Sequence, residues 1–173
     1  MRPRCSVYIA VSLDGFIARE DGSIDWLSQV EMPGEDYGYR AFMDSVDAVV
    51  LGRRTYDQVL SFPAWPFDGK RCVVLTRRPL PQPRHGETSF EGPPEALLDT
   101  LTDLRRAYVD GGDVIRQFLA AGLVDDLTLS VVPLLLGRGR PLFGAMPVDR
   151  RLRLLASSTF GSGLVQLRYR AAE

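Results

Sequence analysis

The stretch from Arg105 to Leu119 constrains the fold more than any other, because an apolar strand pattern runs into two adjacent glycines and then into a helix pattern. Apolar residues in the second half recur every three to four positions, which predicts a helix that packs on a sheet. Gly122 is placed to end this helix in the left-handed conformation. A strand that leads through a tight turn into a sheet-covering helix is the repeating unit of α/β proteins.

The two glycines at this junction, Gly111 and Gly112, also have a chemical meaning. Without Cβ atoms they let a ligand approach the backbone, and the free N–H groups of the first helical turn favour an anion. A tight strand-to-helix turn alone would also explain two glycines. The motif by itself leaves both interpretations open.

Two further strand ends carry residues that suit phosphate groups. Residues 47–51 and 71–76 are short apolar strand patterns, and the first is followed by a helix pattern. In parallel sheets the carboxyl ends of the strands meet at one edge, where ligands bind. We therefore expect three anion-binding sites along one edge of the sheet, formed by the glycine pair, by Gly52, Arg53, Arg54 and Thr55, and by Thr76, Arg77 and Arg78.

The N-terminal residues 4–11 form a mostly apolar run that predicts a strand near the centre of the sheet, buried on both faces. A long loop follows, with turns at residues 12–17 and 20–23. Because it leaves the carboxyl end of a strand, this loop, which carries Asp14, is placed to cover a site. An ordinary connection is the alternative.

The remaining patterns complete the predicted architecture. They indicate helices over residues 35–46 and from Pro94 to about Leu104, a strand over 126–132, and a hairpin formed by 151–160 and 164–170. The predicted fold class is α/β, with a mainly parallel central sheet, helices on both faces and a C-terminal antiparallel hairpin. Residues 1–173 are expected to form one domain.

Composition argues against several classes of function. The 21 basic and 22 acidic residues leave a net charge of −1, so the chain lacks the basic excess of a nucleic-acid binder. The absence of a long apolar run or a signal-peptide pattern predicts a cytoplasmic protein with no membrane partner. Cys5 and Cys72 lack a CxxC spacing or a nearby histidine, which predicts buried free thiols and no metal site.

Five segments, taken in order, resemble the dihydrofolate reductase-like superfamily, and within it the reductase domain of the bifunctional riboflavin-biosynthesis deaminase–reductases. They span nearly the whole chain. Together they are characteristic of the superfamily but of no particular substrate. The segments are residues 10–18 (AVSLDGFIA), 51–56 (LGRRTY), 75–77 (LTR), 109–112 (VDGG) and 134–143 (LLLGRGRPLF).

This resemblance implies an NADPH-dependent reductase. It implies that the cofactor is bound by the phosphate-binding residues already named, with Thr76 and Arg77 at the adenosine 2′-phosphate, and also by Ala10, Val114 and Ile115. Substrate contacts are implied for Ser12, Asp14, Trp26 and Arg140, with Asp14 as the catalytic proton relay. The acid that folate reductases carry after their tryptophan loop has no clean match among Glu31, Glu35 and Asp36.

The expected function is therefore hydride transfer from NADPH to a C=N or C=O carbon of a small heterocyclic or ribosylamino-pyrimidine substrate. The alternative is a non-catalytic NADP(H)-binding or regulatory protein. A homodimer is also expected, because the hairpin would leave an open edge strand and an apolar face formed by Leu152, Leu154, Leu164 and Leu167. The resemblance to riboflavin-type reductases favours the same assembly.

Overall fold

A computed structural model of the chain describes residues 1–80 and 82–172. Its centre is an eight-stranded sheet in the order β5-β4-β3-β6-β1-β7-β10-β9. All neighbours from β5 to β7 pair in parallel, whereas β10 runs antiparallel to both β7 and β9. The predicted fold class is confirmed. The strands are β1 (Arg4–Ser12), β3 (Ala48–Gly52), β4 (Arg71–Leu75), β5 (Thr88–Phe90), β6 (Arg106–Asp110), β7 (Asp126–Val132), β9 (Leu152–Thr159) and β10 (Val165–Ala171).

Four α-helices accompany the sheet in the described residues, and two of them are shorter than predicted. The helix expected over 35–46 begins only at Tyr39, because Gly38 is left-handed (φ 84°) and the Asp36 carboxylate accepts the Gly38 N–H instead. The helix expected to reach Leu104 ends at Asp99. The helices are α1 (Tyr39–Asp44), α2 (Arg53–Val59), α3 (Pro94–Asp99) and α4 (Gly112–Ala120), and a 3-10 helix spans Asp25–Val30.

Strand residues alternate between two cores, one on each face of the sheet. In β3, Val49 and Leu51 pack with α1 and α2, whereas Val50 between them packs with α3 and α4. This alternation follows from the two-residue period of a strand. Both faces are covered by helices, as the continuous apolar runs of the central strands predict.

A second, very small sheet was not predicted. Strand β2 (Phe16–Ala18) pairs antiparallel with β8 (Arg140–Pro141). Runs of two or three residues give no periodicity to detect. The pairing joins the loop after β1 to the loop after β7, so both loops lie over the same edge of the main sheet.

The C-terminal hairpin forms one outer edge of the sheet, since β10 is the only strand of residues 1–80 and 82–172 that pairs with β9. Leu152, Leu154 and Leu155 on β9 are exposed, whereas Leu164 is buried against Trp26. Leu164 is therefore wrongly placed in the predicted open apolar face. The reason is that it precedes β10 and turns into the core under the 3-10 helix.

Other sequence-based expectations have a clear outcome. Gly122 follows α4 with φ 71°, as predicted for a left-handed helix end. Cys5 and Cys72 are buried free thiols, and burial raises the pKa of each to about 12. No helix within residues 1–80 and 82–172 has the length and apolarity needed to cross a bilayer.

Candidate active site

A cleft of about 790 Å³ lies at the carboxyl edge of the parallel strands. It receives residues from all three strand ends that the sequence predicts to bind anions. The predicted residues that line it are Ala10, Gly52, Arg53, Arg54, Thr55, Thr76, Gly111, Gly112, Val114 and Arg140. The structure thus brings most of the predicted cofactor residues into one cavity.

The two glycine junctions fit closely against each other inside this cleft. Gly111 has φ 93°, and a Cβ atom there would lie 2.3 Å from Thr55 Oγ1. A Cβ atom on Gly52 would lie 3.1 Å from Val114 Cγ2. Glycine is required at Gly111 by its conformation and by this approach. The backbones after β3 and β6 are therefore held side by side at the start of α4.

Gly112 stands on the other side of the same junction. A Cβ atom there would lie 2.6 Å from Ile17 Cδ1, in the loop that follows β1. The α4 N-terminus and β2 are therefore in close contact, and residues of both line the cleft together with Ala10. A dinucleotide could lie with its phosphates on the free N–H groups of α4 and one ring near Ala10.

Arginine side chains give the cleft a positive character. Five of them line it among the described residues, and its acidic lining residues are Asp110 and Asp113. Arg53 is fixed by Asp57 at 2.8 Å and by the Pro79 carbonyl at 3.2 Å, whereas Arg54 lies 3.9 Å from Asp113 and is mostly exposed. Guanidinium groups at such positions suit phosphate. The five arginines are Arg53, Arg54, Arg78, Arg116 and Arg140.

Arg77 is the first predicted cofactor residue that the structure does not bring to the cleft. Its side chain is 90% exposed and lies 4.0 Å from Glu91. Thr76 and Arg78 line the cleft instead. Consecutive residues at a strand end leave in different directions, so the adjacent arginine takes the position that was assigned to Arg77.

Asp14 and Ser12, predicted as substrate contacts, also lie outside the lining of the cleft. The Asp14 carboxylate accepts hydrogen bonds from Ser12 Oγ (2.5 Å), Leu136 N (3.1 Å) and Gly137 N (2.7 Å). These bonds, led by that of Ser12, lower the pKa of Asp14. A carboxylate held in its ionised form by three donors fixes the loop after β7, and it is poorly suited to the predicted role of proton relay.

Trp26 and Ile115 are buried away from the cleft. Trp26 is 4% exposed and packs with Val30 and Leu164 in a third apolar cluster, so it supports the wall instead of contacting a ligand. The Ile115 side chain is in the main core, and its N–H donates to the Gly111 carbonyl within α4. Neither prediction of direct contact agrees with these positions.

Asp110 is the functional candidate that the sequence analysis missed. It precedes the glycine pair, lines the cleft beside Tyr8, Tyr39 and Tyr108, and accepts the Gly111 N–H at 2.8 Å. Burial raises the pKa of Asp110 to about 6, against the opposing effects of the Gly111 N–H and the Tyr108 hydroxyl. A carboxyl group with a raised pKa in a cleft is a candidate proton donor. The signal was present in the VDGG motif, where an acid ends an otherwise apolar strand.

A second cavity, of about 690 Å³, adjoins the first. The two cavities share Tyr8 and Ala10 of β1 and Leu27 of the 3-10 helix, so these two elements form the boundary between them. The walls of the second cavity are mainly apolar. A ligand in it would lie against the end of the first cleft that contains Ala10.

The fold and this pair of cavities define a dihydrofolate reductase-like α/β protein with a nucleotide-sized cleft. Residues 3–166 match the family model of the RibD C-terminal domain, and the chain belongs to this family. It is thereby a member of a family of reductases, as the sequence resemblance predicts.

Individual relatives agree with this assignment. The chain is 37% identical to the uncharacterized protein YwjB of Bacillus subtilis, over 98% of both chains. A crystal structure of a protein from Shewanella sp. PV-4 assigned to riboflavin biosynthesis superposes with a TM-score of 0.92 at 34% identity, over 100% of both chains. Dihydrofolate reductase from Enterococcus faecalis, solved in complex with NADP(H), has the same fold, with a TM-score of 0.66 at 16% identity over 98% of this chain and 97% of that chain.

Proposed function

We propose that the protein is an NADPH-dependent oxidoreductase that reduces a C=N or C=O group of a small heterocyclic substrate. The observation that supports this proposal is a cleft lined by glycines and arginines that contains a half-buried carboxyl group, Asp110, and that adjoins a second cavity. A dinucleotide site alone would need neither the acid nor the second cavity. The family membership and the NADP(H) complex of a protein with the same fold support the choice of cofactor.

The residues of the cleft fit this cofactor. Gly111 and Gly112 line the cleft at the start of α4, and we propose that the free N–H groups of its first turn bind the pyrophosphate. Thr76, Arg78 and Arg54 are proposed to bind the adenosine 2′-phosphate. The nicotinamide would then lie near Ala10 and Ile17.

When bound, NADPH would supply a hydride from C4 of its nicotinamide ring. The protein is proposed to orient the acceptor carbon and to exclude water with the tyrosines around Asp110. Reduction of C=N then requires one proton on nitrogen, and reduction of C=O requires one on oxygen. We propose that Asp110 donates it and is reprotonated from solvent after the product leaves.

The alternative is a non-catalytic NADP(H)-binding or regulatory protein. It shares the cofactor cleft but predicts no turnover with any substrate. The position of Asp110 favours the enzyme, because its carboxyl group lines the cleft and burial raises its pKa, a combination typical of proton donors.

The test has two stages. NADPH and NADH are first titrated against the purified protein, and tight binding of NADPH is expected. NADPH oxidation is then followed at 340 nm with pterin, pyrimidine and quinone acceptors. Tight binding with no oxidation by any acceptor would support the alternative, and failure to bind NADPH would refute both.

A further inference from the structure

The residues of the second cavity indicate the chemical class of the substrate, an inference that rests on the proposed reductase function. It adjoins the end of the cleft where the nicotinamide is proposed to lie, and it shares Tyr8, Ala10 and Leu27 with that cleft. Val30 and Leu164 complete apolar walls. A flat ring is the kind of group that such walls bury favourably.

The polar groups at the base of this cavity are neutral. Ser130, 4% exposed, accepts a hydrogen bond from Gln166 Nε2 at 3.1 Å, and the same nitrogen donates to Tyr8 Oη at 3.0 Å. Tyr8 Oη donates in turn to the Tyr37 carbonyl at 2.6 Å. A connected network of this kind holds the base of the cavity in one shape and offers neutral contacts to a ligand.

The charged residues of the cavity are all acidic. Glu31, Glu35 and Asp36 lie at its rim, and the described residues that line it include no arginine, lysine or histidine. Glu35 and Asp36 are fixed by backbone N–H groups of Tyr37 and Gly38, at 2.7 and 2.9 Å. Glu31 forms no side-chain hydrogen bond or ion pair with another described residue, so its charge faces the solvent at the entrance.

The rim is held in position, which matters because a mobile rim could move away from an anion. Tyr37 has φ 56°, an uncommon conformation for a residue other than glycine. Its carbonyl accepts from Tyr8 and Gln166, and its hydroxyl contacts the Val30 carbonyl and Ser162 Oγ at 2.9 Å. The segment that carries the three carboxylates is thus tied to β1, β10 and the 3-10 helix.

We propose that the substrate of this protein is a flat, uncharged or cationic heterocycle that carries no phosphate group. A phosphate monoester with nearly two negative charges would meet three carboxylates in the lining of the second cavity and no cation there. Arg40 lies outside the lining, and its charge already acts on Asp36. The arginines that could bind it line the first cleft, where they are proposed to hold the cofactor. The inference separates this chain from a reductase that acts on a 5′-phosphoribosyl pyrimidine.

The test compares matched ligands that differ only by a phosphate. Binding to the protein saturated with NADP⁺ is measured by calorimetry for ribitylaminouracil and its 5′-phosphate, and for a hydroxymethylpterin and its phosphate. At least one phosphate-free ligand is expected to bind, about tenfold or more tightly than its partner at low salt, as repulsion from three partly screened carboxylates implies.

The proposal is overturned if neither phosphate-free ligand binds. It is also overturned if, in every pair that binds, the ligand with the phosphate binds at least as tightly as the ligand without it. Saturation with NADP⁺ is verified beforehand, so failure of the cofactor to bind refutes the proposed function and not only the choice of substrate.

A charge reversal at the rim tests the cause. Glu31→Lys is expected to reduce the preference for the phosphate-free ligand about fivefold or more at low salt, since it replaces a repulsive charge by an attractive one. Glu95→Lys, an identical change on the exposed first turn of α3, is the matched control and should leave the preference unchanged. An unchanged preference in Glu31→Lys would overturn the role of the rim, and with it the inference.

Discussion

The first cleft and the second cavity lie side by side, yet they differ in almost every physical respect. The cleft is lined by backbone at glycines and by five arginines of the described chain, whereas the cavity has apolar walls, a neutral base and an acidic rim. Anionic groups of a ligand would therefore be favoured at one end of the site, and neutral or cationic groups at the other. On this difference rests our proposal that the cleft selects for phosphate and the cavity selects against it.

Asp110 lines the first cleft and not the second cavity, whereas Tyr8 lines both. Asp110 is neither part of the arginine set nor part of the acidic rim. Burial raises its pKa to about 6, whereas the other carboxylates that line the two regions are exposed. We propose that Asp110 donates its proton from the cleft, where the nicotinamide and the substrate would face each other.

The largest expected effect is that of Asp110→Asn, which removes the proposed proton without changing the shape of the side chain. Turnover should fall by roughly 100- to 10,000-fold, the range typical of general acids, while the Kd of NADPH changes by no more than about threefold. In the unmodified protein, kcat should decrease as pH rises through about 6, because the protonated form is then lost. A variant with unchanged turnover, or a flat pH profile, would exclude Asp110 as the donor.

The two regions were unequally accessible to sequence reasoning. The cleft could be predicted because its residues follow regular strands: Gly52, Thr76 and Gly111 each come directly after an apolar run. Strand ends in a parallel sheet converge by topology, so their residues can be grouped without coordinates. The direction of a side chain was harder to predict than its place at a strand end, since Arg78 and not Arg77 lines the cleft.

The second cavity could not be predicted. It is assembled from three unrelated parts of the chain, namely β1, the segment after the 3-10 helix and Ser130 on β7. The acids after Trp26 were noticed in the sequence, but only the left-handed Tyr37 and its bonds to β1 and β10 show why they form a rim. The sequence also suggested a catalytic role for Asp14, which is conspicuous as an acid in a loop. In the structure its carboxylate accepts backbone N–H groups and stabilises the loop after β7.

The next largest effect concerns the cationic region alone. Arg78→Ala should weaken NADPH binding by about 10- to 100-fold, which corresponds to the 1.5–3 kcal/mol of a charge-assisted hydrogen bond. NADH, which has no 2′-phosphate, should bind as before. Arg77→Ala is the matched control and should change neither Kd, because its side chain lies outside the cleft. If Arg77→Ala alone reduced NADPH binding, the assignment of the 2′-phosphate site would return to Arg77.

A smaller effect is expected at Asp14, which belongs to neither region. Asp14→Asn should retain turnover within about threefold, the spread expected of a change outside the site. It should nevertheless unfold at a lower temperature at neutral pH, because three donors lose an ionised acceptor. The folded-state pKa is lowered, so this stabilisation is present above the ordinary aspartate pKa of 3.8 and is lost as pH falls below it. A large loss of kcat with normal stability would restore Asp14 as the proton donor.

The smallest effect on the site is expected from the far edge of the sheet, where we propose that two copies of the chain associate through β9. Leu154 is 51% exposed there and lies between two other exposed leucines, and an unpaired apolar edge strand favours self-association. Light scattering should give about 38 kDa, twice the 19.2 kDa of the chain, and Leu154→Arg should shift it toward the monomer. Both NADPH affinity and ligand preference should remain unchanged, because the edge contributes no residue to either cavity. A monomer at all micromolar concentrations would refute the dimer, whereas a dissociated variant that lost NADPH binding would show that the cleft depends on the assembly.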